Sequence, residues 1–314
     1  MKRNWKRFVK TFLYLPVSFF WVLVSDGAWQ QKKPEVPYVP TPKKVVSEML
    51  KRAAVRKEDV LYDLGCGDGR IVITAAIELG CRGVGIDIDP KRIEESRKNA
   101  IDADVSDRVE FFLMNLFEAE IREATVVTLY LLSEVNLRLR PKLLRELRPG
   151  TRVVSHDFNM GAWKPDESVV IDDNSHDDFP IYDTFWLNKY WNKHNVFLWI
   201  IPSNVTGVWK GALPEFMGKK RITLELKQAF QEFEGEAFED SSSIVLYVKN
   251  GIIKGNRLEF TLEPEKEGRA EQMHFEGRVS YNTIEGLVRI EGKPDIKGKW
   301  KATRDPSTIE HIEK

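Results

Sequence analysis

The stretch Asp63-Leu64-Gly65-Cys66-Gly67-Asp68-Gly69-Arg70 closes an apolar run and opens directly into a helical pattern. Twenty residues after Gly67, a second apolar run ends in Gly85-Ile86-Asp87-Ile88-Asp89-Pro90. Glycines at alternate positions let the backbone turn tightly and let a ligand lie against it where a side chain would obstruct. A dinucleotide-binding loop would place its third glycine at position 70, which is Arg70, and no Gly-Lys-Ser/Thr phosphate loop is present. Neither a pyrophosphate cradle nor triphosphate hydrolysis is supported.

Outward from this loop, short apolar strands alternate with helices. Thr41 can cap, and Pro42 can open, a helix whose Val45, Val46, Met49, Leu50, Ala53 and Ala54 share one face. Strands are expected over 59–64, 83–87, 109–114, 124–132 and 152–157, with helices over 70–79, 91–100 and 137–147. A polar stretch over about 159–194 reads as an inserted loop, followed by a last sheet strand over 196–201. The pattern predicts an α/β domain over 41–202: a doubly wound, Rossmann-like, mostly parallel seven-stranded sheet.

Ligands of such sheets sit at the carboxyl ends of the strands. The first strand ends in Asp63 and the glycine loop. The second ends in Asp87, whose two acceptor oxygens suit both hydroxyls of a ribose, whereas Asp89-Pro90 reads as a helix cap and first turn. The third ends near Asn115, whose amide can both donate to and accept from an adenine edge. Together these describe a pocket for an adenosine carrying an amino-acid tail.

At these residues the chain resembles the class I S-adenosylmethionine-dependent methyltransferases, over roughly 41–201. The resemblance implies S-adenosylmethionine as cofactor, with Thr41, Asp63, Gly65, Cys66, Gly67, Gly69, Asp87, Ile88, Asn115 and Leu116 around it. Asn115 stands where many members carry aspartate. More narrowly, Tyr38-Val39-Pro40-Thr41-Pro42, Leu129-Tyr130-Leu131-Leu132 and the run from Arg148 to His156 resemble a bacterial and archaeal group. Its eukaryotic relatives methylate lysines of mitochondrial proteins, including a membrane-embedded component of ATP synthase.

No Asn-Pro-Pro-aromatic sequence follows the fourth strand, where this superfamily commonly grips the amino groups of bases and glutamine; Tyr130-Leu131-Leu132-Ser133-Glu134-Val135-Asn136 stands there. Tyr130, Glu134, Asn136, His156 and Asp157 are the acceptor-side candidates. Cys66 reads as a small filler of the loop. The histidines at 156, 176, 194, 274 and 311 show no metal-ligand spacing, so no metal site is expected.

The 314 residues exceed what one core usually supports, and 48 basic residues against 48 acidic ones argue against a nucleic-acid partner. Only two cysteines, Cys66 and Cys81, exclude a disulfide framework. Residues 1–40 hold Lys2, Arg3, Lys6, Arg7 and Lys10, an apolar stretch to Val24 and a proline-rich linker, which reads as a membrane anchor or signal segment. Because the cofactor is cytoplasmic, attachment with the catalytic domain on the cytoplasmic side is expected. Residues 203–304 become all strand, with apolar-x-Gly units at Gly235, Gly255, Gly277, Gly286 and Gly298, and predict a small antiparallel barrel or sandwich before a short tail. Its core is expected to hold Trp209, Phe230, Phe260, Phe275 and Trp300. The expected activity is methyl transfer to a protein side chain, lysine first. A small molecule or lipid acceptor is the alternative, as is an inactive cofactor-binding module whose β domain binds a partner.

Overall fold

The computed structural model describes residues 34–173, 192–217, 221–240, 245–264 and 272–312. The basic and apolar stretch read as a membrane anchor lies outside the described residues, as does most of the second half of the polar insertion. Among the described residues, no helix is long and apolar enough to cross a membrane.

Seven strands form the first sheet: β1 (Val60–Leu64), β2 (Arg82–Asp87), β3 (Val109–Leu113), β4 (Val126–Leu129), β5 (Arg152–His156), β6 (Glu167–Asp172) and β7 (Lys193–Ile200). Their order is β3-β2-β1-β4-β5-β7-β6. The first five run parallel, whereas β7 is antiparallel to β5 and to β6. The order reverses at β1, which places the ends of β1 and β4 at the crevice where such sheets bind ligands. Helices α1 (Lys43–Arg52), α2 (Arg70–Leu79), α3 (Pro90–Asp102) and α4 (Ser133–Glu146) complete this part. α1 and α2 press Val45, Val46, Met49, Val72, Ala75 and Ala76 into one buried layer, and α4 presses Val135, Leu139 and Leu143 into a second.

Local chemistry sets the ends of these elements. Gly69, at φ 79°, precedes α2, and Gly80, at φ 69°, ends it in the left-handed conformation that glycine adopts without a Cβ penalty. Asp89 accepts the Lys91 N–H with Oδ1 at 2.8 Å, with Pro90 at the first helical position, as the Asp-Pro sequence predicts. Two expectations are corrected. Thr41 does not cap α1; Pro42 holds the cap position, and the Thr41 hydroxyl is turned to His156 instead. The stretch expected to be a loop contains β6, an edge strand that buries little beyond Ile171 and so lacks an apolar signature.

The C-terminal part is a closed barrel of eight antiparallel strands in the order β10-β11-β12-β13-β14-β15-β8-β9. They are β8 (Gly207–Ala212), β9 (Arg221–Ala229), β10 (Glu232–Glu239), β11 (Val245–Lys254), β12 (Arg257–Pro264), β13 (Met273–Ser280), β14 (Thr283–Ile290) and β15 (Lys293–Arg304). Closure leaves no sheet edge exposed. Phe260 and Phe275 stack at 4.7 Å between centroids, and Trp300 meets Phe275 edge-on at 5.0 Å. Gly277 and Gly286 face each other across β13 and β14, where a Cβ on Gly286 would lie 1.9 Å from the Glu276 carbonyl oxygen. This gives one pair of the recurring glycines a steric reason.

Phe230 departs from the expected barrel core. It sits at φ 57° in the β9–β10 turn, stacks on Trp163 with centroids 5.9 Å apart, and lies beneath the Arg140 guanidinium. It therefore packs the barrel against the α/β part, where Gln231 Nε2 also donates to the Lys164 carbonyl at 2.8 Å.

Candidate active site

The loop after β1 is held from both sides. Gly65 and Gly67 have φ of 89° and 52°, so their turn depends on the absence of side chains. The Gly67 N–H donates to Asp87 Oδ2 at 2.9 Å and the Asp89 N–H donates to Asp87 Oδ1 at 2.9 Å. A carboxylate offers about four lone-pair positions, so roughly two stay open for further donors. Arg70 fixes the far side of the loop through Asp68 and donates to the Thr41 carbonyl at 3.0 Å. Burial raises the Asp68 carboxyl, but the Arg70 hydrogen bonds outweigh it and hold the group below its ordinary value.

Beneath the loop, Asp63 is fully enclosed, and its Oδ1 accepts the Thr128 hydroxyl at 2.8 Å. Burial pushes its carboxyl up to about 7, with the nearby Asp87 and Asp68 charges adding to the rise. Cys66 is buried and its thiol is pushed well above the ordinary value by burial, which removes the thiolate that reactivity requires. Ile88 follows Asp87 at the end of β2, partly exposed. Asn115 uses its amide locally, accepting the Phe117 N–H and donating to Glu118, each at 3.1 Å. Leu116 packs on the buried layer under α4.

The segment preceding α1 closes over these strand ends. The Tyr38 ring lies so near the loop that a Cβ on Gly67 would come within 2.4 Å of its Cε2. The Tyr38 hydroxyl bonds to Asp68, and the Arg92 guanidinium covers the ring at 4.4 Å. Val36, Pro37 and Val39 thereby roof a cavity of about 300 Å3, whose other walls are Tyr130, Leu132 and Phe158, with Asp157, Lys193 and His194 supplying its polar groups.

Of the acceptor-side candidates, Tyr130 and Asp157 line this cavity and His156 lies directly behind it, its ring stacked on Tyr130 at 3.8 Å. Burial pushes the Tyr130 phenol up to about 12, so it stays a proton donor. His156 is fully buried and held below the ordinary imidazole value by that burial. Burial raises Asp157, but the hydrogen bonds from His156 and His194 outweigh it and hold the carboxyl far below the ordinary range. Glu134 and Asn136 do not line the cavity. α4 begins four residues earlier than its apolar pattern suggests, which leaves Glu134 exposed in the first turn. It turns Asn136 inward, where Nδ2 donates to the Phe158 carbonyl at 3.0 Å. His194, Phe158 and the roof residues went unmarked in the sequence. The Tyr38-to-Pro42 motif was the available signal for the roof.

The family model described as the ANTKMT methyltransferase domain matches residues 63–167. A protein-lysine N-methyltransferase of Saccharolobus islandicus is 50% identical over 143 residues, covering 45% of this chain and 89% of that relative. This chain belongs to the protein-lysine N-methyltransferase family. The human ATP synthase c-subunit lysine N-methyltransferase is 32% identical over 131 residues, which are 42% of this chain and 55% of that protein. The chain thus spans about half the length of that relative. A solved structure described as an RNA methyltransferase from Salinibacter ruber in complex with S-adenosyl-L-homocysteine is 52% identical, with a TM-score of 0.45, over 53% of this chain and 96% of that one.

The chain is an S-adenosylmethionine-dependent methyltransferase, and its strand ends fit that cofactor. The left-handed Gly65 and Gly67 carry no side chain, the Asp87 carboxylate keeps acceptor positions beyond its two backbone donors, and Tyr38, in the segment that roofs the cavity, rests against Gly67. The family model's match ends at residue 167, before the barrel.

Proposed function

We propose that this methyltransferase transfers its methyl group to the ε-amine of a lysine in a protein. The observation that carries this reading is the roofed cavity: apolar walls with the ionised Asp157 carboxylate among polar groups that also include His194 and Lys193. A lysine side chain has the matching shape, four methylenes that gain from apolar walls and a cationic head that gains from Asp157. The kinship with lysine methyltransferases points the same way.

In this reading Asp87 accepts the ribose hydroxyls through the positions that its backbone donors leave open, while Gly65, Cys66, Gly67 and Gly69 cradle the amino-acid tail above Asp63. Ile88, Asn115 and Leu116 border the adenine. When bound, S-adenosylmethionine supplies a sulfonium whose methyl carbon is already electrophilic, so the protein's work is positioning and exclusion of water. Tyr130, Phe158 and the roof residues Val36, Pro37 and Val39 orient the lysine stem and keep bulk solvent out. The ammonium must lose a proton before its nitrogen can attack, and that proton leaves toward solvent through the polar end of the cavity. Thr41 acts through His156 rather than on the cofactor.

Mass-spectrometric comparison of protein methylation in cells with and without the gene tests the acceptor. Methyl-lysine sites present only with the gene are expected; an unchanged lysine methylome refutes the reading.

We also propose that residues 1–24 attach the enzyme to the cytoplasmic face of a membrane, a reading supported by the basic flank and the apolar stretch in the sequence. Proteolysis of intact spheroplasts should leave the catalytic part uncut, and digestion from outside would refute this placement.

A further inference from the structure

Among the described residues, one group of three metal-ligating side chains converges: His156, Asp157 and His194. Their facing atoms form a small triangle. His156 Nε2 stands 2.9 Å from His194 Nδ1 and 3.2 Å from Asp157 Oδ2, and His194 Nδ1 stands 3.6 Å from the same oxygen. Bonds of about 2.0 to 2.2 Å from zinc or a similar ion to imidazole nitrogen and carboxylate oxygen put neighbouring ligand atoms about 2.8 Å apart at octahedral angles and up to about 3.6 Å apart at tetrahedral ones. The observed triangle falls on that range.

Hydrogen bonding satisfies the triangle only in part. Two imidazole nitrogens 2.9 Å apart have room for one proton between them, and the carboxylate oxygen is an acceptor facing both. One proton cannot bridge all three edges, whereas one cation in the centre would engage all three lone pairs.

The surroundings hold these atoms as outer partners hold metal ligands. Asp157 Oδ1 accepts the Asn195 N–H at 2.7 Å, which directs Oδ2 at the imidazoles. The Thr41 hydroxyl lies 3.3 Å from His156 Nδ1 and so leaves Nε2 for the cluster. The frame is the end of β5 paired with β7, where the Asp157 N–H also donates to the Asn195 carbonyl at 2.7 Å. Asp157 sits at φ 58°, a left-handed conformation that costs a non-glycine residue about 1 kcal/mol and recurs at functional sites. Both imidazoles are buried, and Asp157 and His194 open onto the roofed cavity, so a bound ion would keep coordination positions on that side.

We infer that His156, Asp157 and His194 form a binding site for one divalent transition-metal ion on the wall of the acceptor cavity. Two imidazoles with one carboxylate favour zinc, iron(II) or manganese(II) over magnesium or calcium. The sequence hid the site because His194 lies 38 residues from His156 and only the β5–β7 pairing brings them together. With the ion bound, the Asp157 charge is offset and the lysine enters as the neutral amine, which replaces the attraction of the bare carboxylate for an ammonium. That consequence rests on the lysine reading; the site itself does not.

The test uses the metal alone. The full chain, stripped with chelator and dialysed, is titrated with zinc chloride by calorimetry and with cobalt(II) by visible absorption. One equivalent per chain is expected, with Asp157→Asn and His194→Gln each abolishing it while circular dichroism and S-adenosylhomocysteine binding are retained. Thr41→Val should weaken the metal about tenfold. Asparagine tolerates the left-handed backbone, so Asp157→Asn reads the site even if His194→Gln fails to fold. Absence of stoichiometric binding, or equal binding in the Asp157→Asn chain, overturns the proposal.

Discussion

The Gly67 N–H donates to Asp87 Oδ2 at 2.9 Å, so the glycine loop after β1 and the carboxylate ending β2 form one hydrogen-bonded unit. Asp87→Asn keeps the size of the side chain but turns one acceptor into a donor, set against either the Gly67 N–H or the Asp89 N–H. Calorimetric titration with S-adenosylhomocysteine should show affinity about 10- to 100-fold weaker, the loss expected for charge-assisted hydrogen bonds. Unaltered affinity would remove Asp87 from the site.

Gly67→Ala should destabilise the fold by about 1 to 3 kcal/mol in denaturant unfolding, because φ is 52° and the new Cβ would meet Tyr38 Cε2 at 2.4 Å. Adding Tyr38→Ala relieves the contact but not the backbone strain. The two substitutions should therefore be less than additive. Strict additivity would mean that Tyr38 does not rest on the loop in solution.

Asp63 sets a pH dependence. Its folded carboxyl, at about 7, is raised above the unfolded value, so the folded chain holds the proton more tightly. The stabilising difference is complete at acid pH and is lost as pH rises through neutrality. The Asp63 contribution to stability should fall by about 2 to 3 kcal/mol between about pH 5 and pH 8, against an opposing gain from His156, which burial holds below the ordinary imidazole value. Asp63→Asn, which keeps an acceptor for Thr128, should flatten that slope in thermal unfolding across the same range. Asp59 titrates in the opposite sense and lower: burial raises it, but the Arg152 and Thr125 hydrogen bonds outweigh that, so it leaves the window clear.

In the barrel, Phe275→Ala removes a ring that is 1% exposed and packed between Phe260 and Trp300. A loss of about 3 to 5 kcal/mol is expected in urea unfolding, with S-adenosylhomocysteine affinity retained in the folded protein. Loss of cofactor affinity in a folded variant would show that the barrel acts on the site.

The strand ends were legible because their chemistry is local: Gly65, Gly67 and Asp87 carry their meaning within a few residues of an apolar run. The barrel was legible from strand alternation. What escaped the sequence is long-range or lacks an apolar signature. β6 buries too little to alternate, Phe230 serves the contact between the two parts rather than the barrel core, and Thr41 spends its hydroxyl on His156 instead of a helix end. His194 enters the site only through antiparallel pairing of β7 with β5, and Val36 to Val39 only because Tyr38 lies on Gly67.

The most direct test of lysine methylation is to incubate the purified chain with methyl-labelled S-adenosylmethionine and an extract lacking the gene, then hydrolyse the protein fraction to amino acids. The account predicts label in mono-, di- or trimethyl-lysine, reduced by Asp87→Asn. Label confined to RNA, lipid or small molecules, with none in methyl-lysine, would contradict it.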